Sequence, residues 1–302
     1  MHGRSNEQFL DPAILARIDN FNLVARTVVE GFVAGLHRSL FHGFGSEFVH
    51  YRNYAKGDDL KYVDWKVFAR LDRYQTKVFQ EETNANCYVV LDCSGSMGYQ
   101  GERTGASKLR YAQIMAACLS YLINLQGDHG GLFAYSDRMR AAVAPSHKSG
   151  QVHQINVALA QLKASGACDH RKMLHYLGEH FNRRGVVIVI SDFLDADEEV
   201  RKAFRRFRAA HHEVVLFQVL DPDELDFDFN GTVRFVDSEA EQELVTSPEV
   251  VREQYRRAMD EYLAEFSAFC VTADLELTRV RTTQSLATVL AAYLHRREML
   301  RR

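Results

Sequence analysis

Four side chains that carry oxygen donors follow two apolar runs, at positions where buried strands are expected to end. Asp92, Ser94 and Ser96 lie in the segment LDCSGSM after the run CYVVL, and Asp192 follows the run VVIVI. Carboxylate and hydroxyl oxygens are hard donors that suit Mg²⁺, or alternatively Mn²⁺ or Ca²⁺. So few protein ligands leave coordination positions open to water or to an outside carboxylate. The four residues therefore predict a divalent metal site.

Other chemistries fit this segment less well. The chain has no G-x-G-x-x-G and no G-x-x-x-x-G-K-[ST], so a phosphate-binding loop is not indicated. The nucleophile elbow G-x-S-x-G fails because the position two before Ser96 is Ser94. A purely structural interpretation stays open, in which Asp92 and the serines only cap the helix that follows. The preceding buried strand favours the metal.

The elements around these residues predict an α/β fold with a doubly wound, mostly parallel sheet. Continuous apolar strands separated by helices indicate a sheet that is buried on both faces. Residues 131–135 and 139–144 are joined by a tight turn, which predicts one antiparallel edge strand. In such sheets ligands bind beyond the carboxyl ends of the strands, where the strand order reverses. We therefore expect the strands that precede Asp92 and Asp192 to be neighbours.

We divide the chain into an N-terminal extension, residues 1–83, and an α/β domain, residues 84–302. The extension begins with a predicted helix from Asp11-Pro12 to about Phe32, because Asp11 suits a helix cap and apolar residues recur at helical spacing. A formal net charge of -3 gives no indication of a nucleic-acid partner. No apolar run approaches the roughly 20 residues of a membrane helix. The five scattered cysteines favour the cytoplasm.

The motif Asp92-x-Ser94-x-Ser96 resembles the metal-ion-dependent adhesion site of von Willebrand factor A domains. The resemblance implies a further aspartate at the end of a core strand, which Asp192 matches, and a threonine from a loop between the two. That threonine position falls on Cys168 in this chain. A thiol is a soft donor and a poor ligand for Mg²⁺, so the sequence departs from the pattern at this point.

A second resemblance covers most of the chain, and by it the chain is identified as a member of the family called "domain of unknown function 58". The matching positions are Gly35-Leu-His-Arg-Ser39, Glu47-Phe48, Arg52, Tyr54, Gly57-Asp58-Asp59, Asp64-Trp65-Lys66, Ala69-Arg70, Val78, Glu81-Glu82 and Leu220-Asp-Pro222. The resemblance implies a von Willebrand factor A-like, Rossmann-type fold. It also implies a MoxR-type AAA+ ATPase as partner, since genes of this family often stand beside genes of such ATPases.

The first matching segment holds six charged residues that we consider as a partner-docking surface: Arg52, Asp58, Asp59, Asp64, Lys66 and Arg70. The alternative is a structural ion network that fixes the orientation of the extension. We expect Trp65, the single tryptophan of the chain, to pack the extension onto the α/β domain.

The sequence is compatible with three functions. The leading one is a non-catalytic module that binds a MoxR-type AAA+ ATPase, or a client of that ATPase, through a metal ion and a partner carboxylate. The second is a metal-dependent hydrolase, which lacks a general base near the motif in sequence and for which His170 is the candidate base. The third is a structural protein with a degenerate site, which Cys168 keeps open. Cys93 lies inside the motif and is a candidate reactive thiol.

Overall fold

The computed structural model describes residues 11–35, 48–53, 65–71, 75–79, 85–239 and 243–301. In chain order the helices and strands of these residues are α1 (Pro12–Leu15), α2 (Phe21–Gly35), β1 (Phe48–Asn53), α3 (Trp65–Leu71), β2 (Gln75–Phe79), β3 (Asn86–Asp92), α4 (Lys108–Leu125), β4 (His129–Tyr135), β5 (Met139–Ser146), α5 (Gln151–Gln161), α6 (His170–His180), β6 (Gly185–Ser191), α7 (Glu198–Ala209), β7 (Glu213–Leu220), α8 (Pro222–Asp226), β8 (Val233–Val236), β9 (Glu243–Thr246), α9 (Pro248–Thr272), β10 (Glu276–Arg281) and α10 (Leu286–Arg301).

Within the described residues a six-stranded sheet forms the centre of the fold, in the order β10-β7-β6-β3-β4-β5. Every pair in it is parallel except β4 with β5, which is antiparallel. The predicted fold class is therefore confirmed, including the single antiparallel edge strand. The chain first builds outward from β3 to β5 and then from β6 to β10 on the other side. The strand order thus reverses between β3 and β6, as predicted.

Alternate residues of the central strands supply two separate hydrophobic cores. Val89 and Leu91 of β3 join the core formed with α2, α4, α5 and α10. Tyr88 and Val90 face the other side, where α6, α7 and α9 close the second core. Successive side chains of a strand point to opposite faces, so an unbroken apolar run is needed to fill both cores. This explains why β3 lacks polar alternation.

The predicted N-terminal helix is two helices, so the prediction of one continuous helix is wrong. Asp11 caps α1 by accepting a hydrogen bond from the backbone N–H of Ala13 at 2.8 Å. Asn20 accepts one from the backbone N–H of Leu23 at 3.1 Å and begins α2. Between the helices the chain is held by Arg110 of α4, which donates to backbone carbonyls of residues 16 and 18. Asn20, the cap of the second helix, was not recognised because the apolar periodicity continues across it.

Helix α2 packs against α4 and α10, and its apolar face belongs to the first hydrophobic core. Residues 11–35 of the predicted extension are therefore integrated with the α/β domain. The division of the chain at residue 83 stays a prediction. Smaller elements are the pair β1–β2 and the hairpin β8–β9, both antiparallel. In the described part of the chain, no helix combines the length and the apolarity needed to span a membrane.

Candidate functional site

The four predicted oxygen donors are brought together at the carboxyl ends of β3 and β6. These strands are hydrogen-bonded neighbours, so Asp92 and Asp192 leave the sheet side by side. The backbone N–H of Ser94 donates to Oδ1 of Asp92 at 2.8 Å, and the hydroxyl oxygens of Ser94 and Ser96 are 3.1 Å apart. The side chain of Ser96 also helps to lower the pKa of Asp192. The four oxygen donors thus form one cluster, although their role as metal ligands stays a prediction.

Asp92 is fully buried, and a residue that the sequence reasoning overlooked holds its second oxygen. The hydroxyl of Ser191 donates to Oδ2 of Asp92 at 2.7 Å. Burial raises the pKa of Asp92; the nearby His170 opposes this rise and the carboxyl group of Asp192 adds to it. The ionised form of Asp92 is therefore short of positive charge in its surroundings.

Cys168 lies at this site, as the resemblance implies. Its loop is tied to the motif because the backbone N–H of Gly95 donates to the carbonyl of Gly166 at 2.8 Å. The thiol sulfur of Cys168 is 3.8 Å from Oδ1 of Asp92. Burial, and then the charge of Asp92, raises the pKa of this thiol far above its usual value. The group is a neutral thiol at physiological pH, and a neutral thiol is a weak ligand for a hard cation.

His170, the candidate general base, is buried at the first position of α6. Its Nδ1 is 2.7 Å from the hydroxyl of Tyr135, and its Nε2 is 3.0 Å from Oδ1 of Asp195. Nε2 also lies 3.7 Å from Oδ2 of Asp92. Burial lowers the pKa of His170, but the hydrogen bond to Asp195 and the charges of the carboxyl groups raise it to about 9. The imidazole is therefore mainly protonated at neutral pH.

Lys108 is the largest feature that the sequence reasoning missed. Its Nζ is 2.7 Å from Oδ2 of Asp192 and 2.5 Å from Oε1 of Glu224, and its side chain is 0% exposed. Burial lowers the pKa of Lys108, but the two carboxyl groups outweigh this effect and raise it. Burial likewise opposes ionisation of Asp192, and Lys108 holds the pKa of that carboxyl below its usual value. Asp192 is thus a permanent anion.

Helix α8 positions Glu224, which shares the ammonium group of Lys108 with Asp192. Asp221 caps the helix, and Oε2 of Glu224 accepts a hydrogen bond from the backbone N–H of Asp221 at 2.8 Å. The same aspartate accepts a hydrogen bond from the backbone N–H of Gly101 at 3.1 Å, and Arg103 donates to Asp223 at 2.7 Å. The loop between the motif and α4 is therefore held against α8, which keeps Lys108 in place.

Glu239 enters the site from the loop of the β8–β9 hairpin and was also missed. Its carboxylate accepts hydrogen bonds from the backbone N–H of Ser96 at 3.3 Å and of Cys168 at 2.8 Å. Beside it runs an open groove of about 450 Å³, whose lining includes Ser96, Tyr99, Ser165 and Ser238. The motif, the Cys168 loop and the hairpin thus enclose one surface depression.

The charges of the described residues at the site suit a divalent cation. The site contains two cations, Lys108 and His170, and five carboxyl groups, those of Asp92, Asp192, Asp195, Glu224 and Glu239. The excess of carboxyl groups, the raised pKa of Asp92 and the hard oxygen donors all fit Mg²⁺, Mn²⁺ or Ca²⁺. Cys168 fits such an ion poorly, so water would have to complete its coordination.

The role of the predicted docking segment stays a prediction, since only part of it is described. Asp58, Asp59 and Asp64 lie outside the described residues, Arg52 lies in β1, and Lys66 and the exposed Arg70 lie in α3. Trp65 is 54% exposed and makes an edge contact with Phe68; the packing of the extension onto the α/β domain by Trp65 stays a prediction.

Comparison with known proteins identifies one matching family and several relatives, which are described as uncharacterized proteins. The sequence profile of the family described as "Protein of unknown function DUF58" matches residues 50–265. The uncharacterized proteins Rv1480 of Mycobacterium tuberculosis and Mb1516 of Mycobacterium bovis are each 27% identical over 297 residues, covering 95% of this chain and 91% of theirs.

Solved structures show similarity at lower identity. BatB from Bacteroides thetaiotaomicron is 13% identical, with a TM-score of 0.46 over 70% of this chain and 98% of that one. The SpRpn10 VWA domain is 10% identical, with a TM-score of 0.39 over 68% and 94%. With these scores, neither structure bears on what the site of this chain does.

Proposed function

The chain belongs to the family described as protein of unknown function DUF58, and we propose that it is a non-catalytic, metal-dependent protein-binding module. The proposal is supported by one observation above all, the cluster of four oxygen donors at the switch point of the sheet. In the proposal Asp92, Ser94, Ser96 and Asp192 hold a divalent ion, Mg²⁺ before Mn²⁺ or Ca²⁺. The ion would supply a positive charge to which a carboxylate of the partner binds.

The residues around these donors orient them. Ser191 fixes the carboxyl plane of Asp92, and the backbone N–H of Ser94 holds its other oxygen. Lys108 keeps Asp192 ionised and fixed in position. A carboxylate held by such partners loses little conformational freedom on binding a cation, so the site is preorganised for a ligand.

The protonation and the contacts of His170, the candidate base, favour a binding function over hydrolysis. His170 is buried, protonated and engaged at both ring nitrogens, so it cannot accept a proton from a substrate at neutral pH. Lys108 is equally buried and bound to two carboxyl groups. Ser191, whose hydroxyl lies 3.4 Å from Nε2 of His170, is buried and donates to Asp92. None of these groups combines solvent access with a free basic atom, which a hydrolytic mechanism requires.

The partner that we propose is a MoxR-type AAA+ ATPase or a client that it remodels, and the reason is the sequence resemblance stated above. The site adds the chemistry of the contact, which is an acidic side chain on a segment that enters the groove beside Ser96. A cytoplasmic location remains part of the proposal.

The experiment is a pull-down of partner proteins by the tagged full chain, with Mg²⁺ or with EDTA. We expect EDTA to release the partner and Asp192→Asn to mimic EDTA. Asparagine is chosen because it keeps the shape of Asp192 beside Lys108. Glu199→Gln on α7, which removes an exposed carboxyl group paired with Lys202, is the matched control and should retain the partner. Association that survives both treatments would place the interface elsewhere, for instance on residues 52–70.

A further inference from the structure

The carboxylate of Glu239 has no cation in contact with it among the described residues, yet both its oxygens are bound. Oε1 accepts from the backbone N–H of Ser96, and Oε2 accepts from that of Cys168. One N–H belongs to the metal motif and the other to the loop that precedes α6. Two converging backbone N–H groups bind a carboxylate by charge-assisted hydrogen bonds, whichever chain supplies it.

Residues 237–239, which we call the hairpin tip, fit closely over the motif. A Cβ atom built on Gly95 would lie 2.3 Å from the backbone carbonyl oxygen of Ser238, so any side chain at position 95 displaces the tip. The φ angle of Gly95 is -57°, which any residue can adopt. The requirement for glycine here therefore comes from the approach of the hairpin and not from the backbone conformation.

Of the two hairpin strands, β8 packs against a neighbouring aromatic ring, whereas β9 exposes its apolar side chains. Phe235 stacks on Phe227, with ring centroids 5.4 Å apart, which anchors β8 one residue before its last residue. Leu244 and Val245 of β9 are 60% and 62% exposed. The two strands pair with each other and not with the central sheet. The tip can therefore leave the motif without breaking a hydrogen bond of the main sheet.

We propose that the backbone N–H groups of Ser96 and Cys168 form a carboxylate clamp, that Glu239 occupies this clamp in the free protein, and that an acidic side chain of the partner replaces it. The proposal rests on the proposed function in one respect, since it names the chemistry of the group that the same site receives. The partner would present an acidic residue at a bend of its chain, as Asp237-Ser238-Glu239 does in this chain. Binding is then an exchange of one carboxylate for another, and the affinity for the partner is lowered by the internal competitor.

The first experiment is amide hydrogen exchange on the full-length protein, measured by NMR at Ser96 and Cys168. Glu239→Gln and Glu239→Ala remove the charge or the acceptor, and we expect at least about tenfold faster exchange at Cys168, from the loss of one charge-assisted hydrogen bond. Gly95→Ala should have the same effect by displacing the tip while leaving Glu239 intact. Glu243→Gln, at an exposed glutamate of the same hairpin, is the matched control and should change neither amide. Unchanged exchange in all three test variants would overturn the occupied clamp.

The second experiment measures exchange of carboxylates. The probe is a fluorescent peptide with the sequence of residues 233–239, VRFVDSE, blocked at both ends so that its acidic side chains are its only carboxylates. We expect the peptide at millimolar concentration to bind Glu239→Ala at least about tenfold more tightly than the wild type, because the internal competitor is gone. A peptide with glutamine at its last position should lose this binding. Equal binding to wild type and variant, or no binding to either, would refute the proposal.

The metal separates this inference from the proposed function. Calorimetry with Mg²⁺ alone on wild type and Asp92→Ala tests the metal site without any peptide. Mg²⁺ binding with unaltered exchange in the Glu239 variants would refute the clamp and leave the metal-dependent module standing. Faster exchange and peptide binding without any Mg²⁺ binding would establish a clamp that works by hydrogen bonds alone, and it would refute the metal-dependent function.

Discussion

The two carboxylates of the site leave adjacent strands yet have opposite surroundings. Asp192 faces the ammonium group of Lys108 and shares it with Glu224, so its charge is matched within the fold. Asp92 faces a hydroxyl, a backbone N–H, a thiol and, at 3.7 Å, the imidazole of His170. The pKa of Asp192 is accordingly lowered, against the effect of burial. The pKa of Asp92 is raised, in the same direction as the effect of burial.

This difference shows which half of the site responds to a ligand. The Asp192 half of the site, which consists of Asp192, Lys108 and Glu224, has its own balancing cation in the absence of any metal ion. Its stability depends on Lys108. The Asp92 half has hydrogen bonds but too little positive charge, so an added cation stabilises chiefly this half. A change at Lys108 should therefore act chiefly on folding, and a change at Asp92 chiefly on metal binding.

The largest expected effect is on the Asp192 half. Lys108→Met should lower the free energy of unfolding by about 3–5 kcal/mol, because it leaves buried carboxyl groups without their cation. Urea denaturation measures this loss. Adding Asp192→Asn to Lys108→Met should recover part of it, since the unpaired charge is then removed. As a control, Lys202→Met breaks an exposed pair on α7 and should cost less than about 1 kcal/mol. A similar small cost for Lys108→Met would contradict the proposed difference between the halves.

The Asp92 half should respond to metal. A free ion at about a hundred times its Kd stabilises a folded protein by about 2.7 kcal/mol. We therefore expect millimolar Mg²⁺ or Mn²⁺ to raise the melting temperature and Asp92→Ala to abolish the rise. Differential scanning fluorimetry with excess metal and with EDTA provides the measurement. Identical melting curves for the wild type in both conditions would argue that no ion binds.

A smaller effect is expected at Cys168. An additional hard oxygen donor in Cys168→Thr should tighten Mg²⁺ binding by about tenfold, or ~1.4 kcal/mol. Cys168→Ala should change the Kd little, because a neutral thiol contributes little to a hard cation. Titration calorimetry on the three proteins distinguishes the cases. If Cys168→Ala abolished binding, sulfur would be a true ligand and the ion would be softer than Mg²⁺.

The smallest expected effect concerns Cys93, the candidate reactive thiol of the motif. The side chain is fully buried, and burial together with Asp92 raises its pKa to about 12. Thiolate is the reactive form, so Cys93 should resist iodoacetamide at pH 8 in the native protein. Mass spectrometry after denaturation should show the mass of the unmodified residue. Rapid alkylation of Cys93 in the native state would mean that the motif opens more than the structure indicates.

The sequence was sufficient for the sheet and for the meeting of the two aspartates. Unbroken apolar runs identify β3 and β6, and the switch-point rule makes Asp92 and Asp192 neighbours. Lys108 could not be recognised in this way, because a lysine in the first turn of a helix is normally solvated. Glu239 lies 143 positions from the residue whose N–H it binds, and no local pattern connects the two. The two aspartates were therefore predictable, but Lys108, which binds Asp192, and Glu239, which binds two backbone N–H groups of the site, were not.

The adjacency of β3 and β6 also sets the order in which the site is made during synthesis. Ser191 and Asp92 are 99 positions apart, so a ribosome working at roughly 5–20 residues per second needs roughly 5–20 seconds to add the second after the first. Until β6 has emerged, the loop after β3 has only part of its partners. Neither an ion nor a binding partner can therefore template the early stages of folding. Both must act on a chain whose central strands are already assembled.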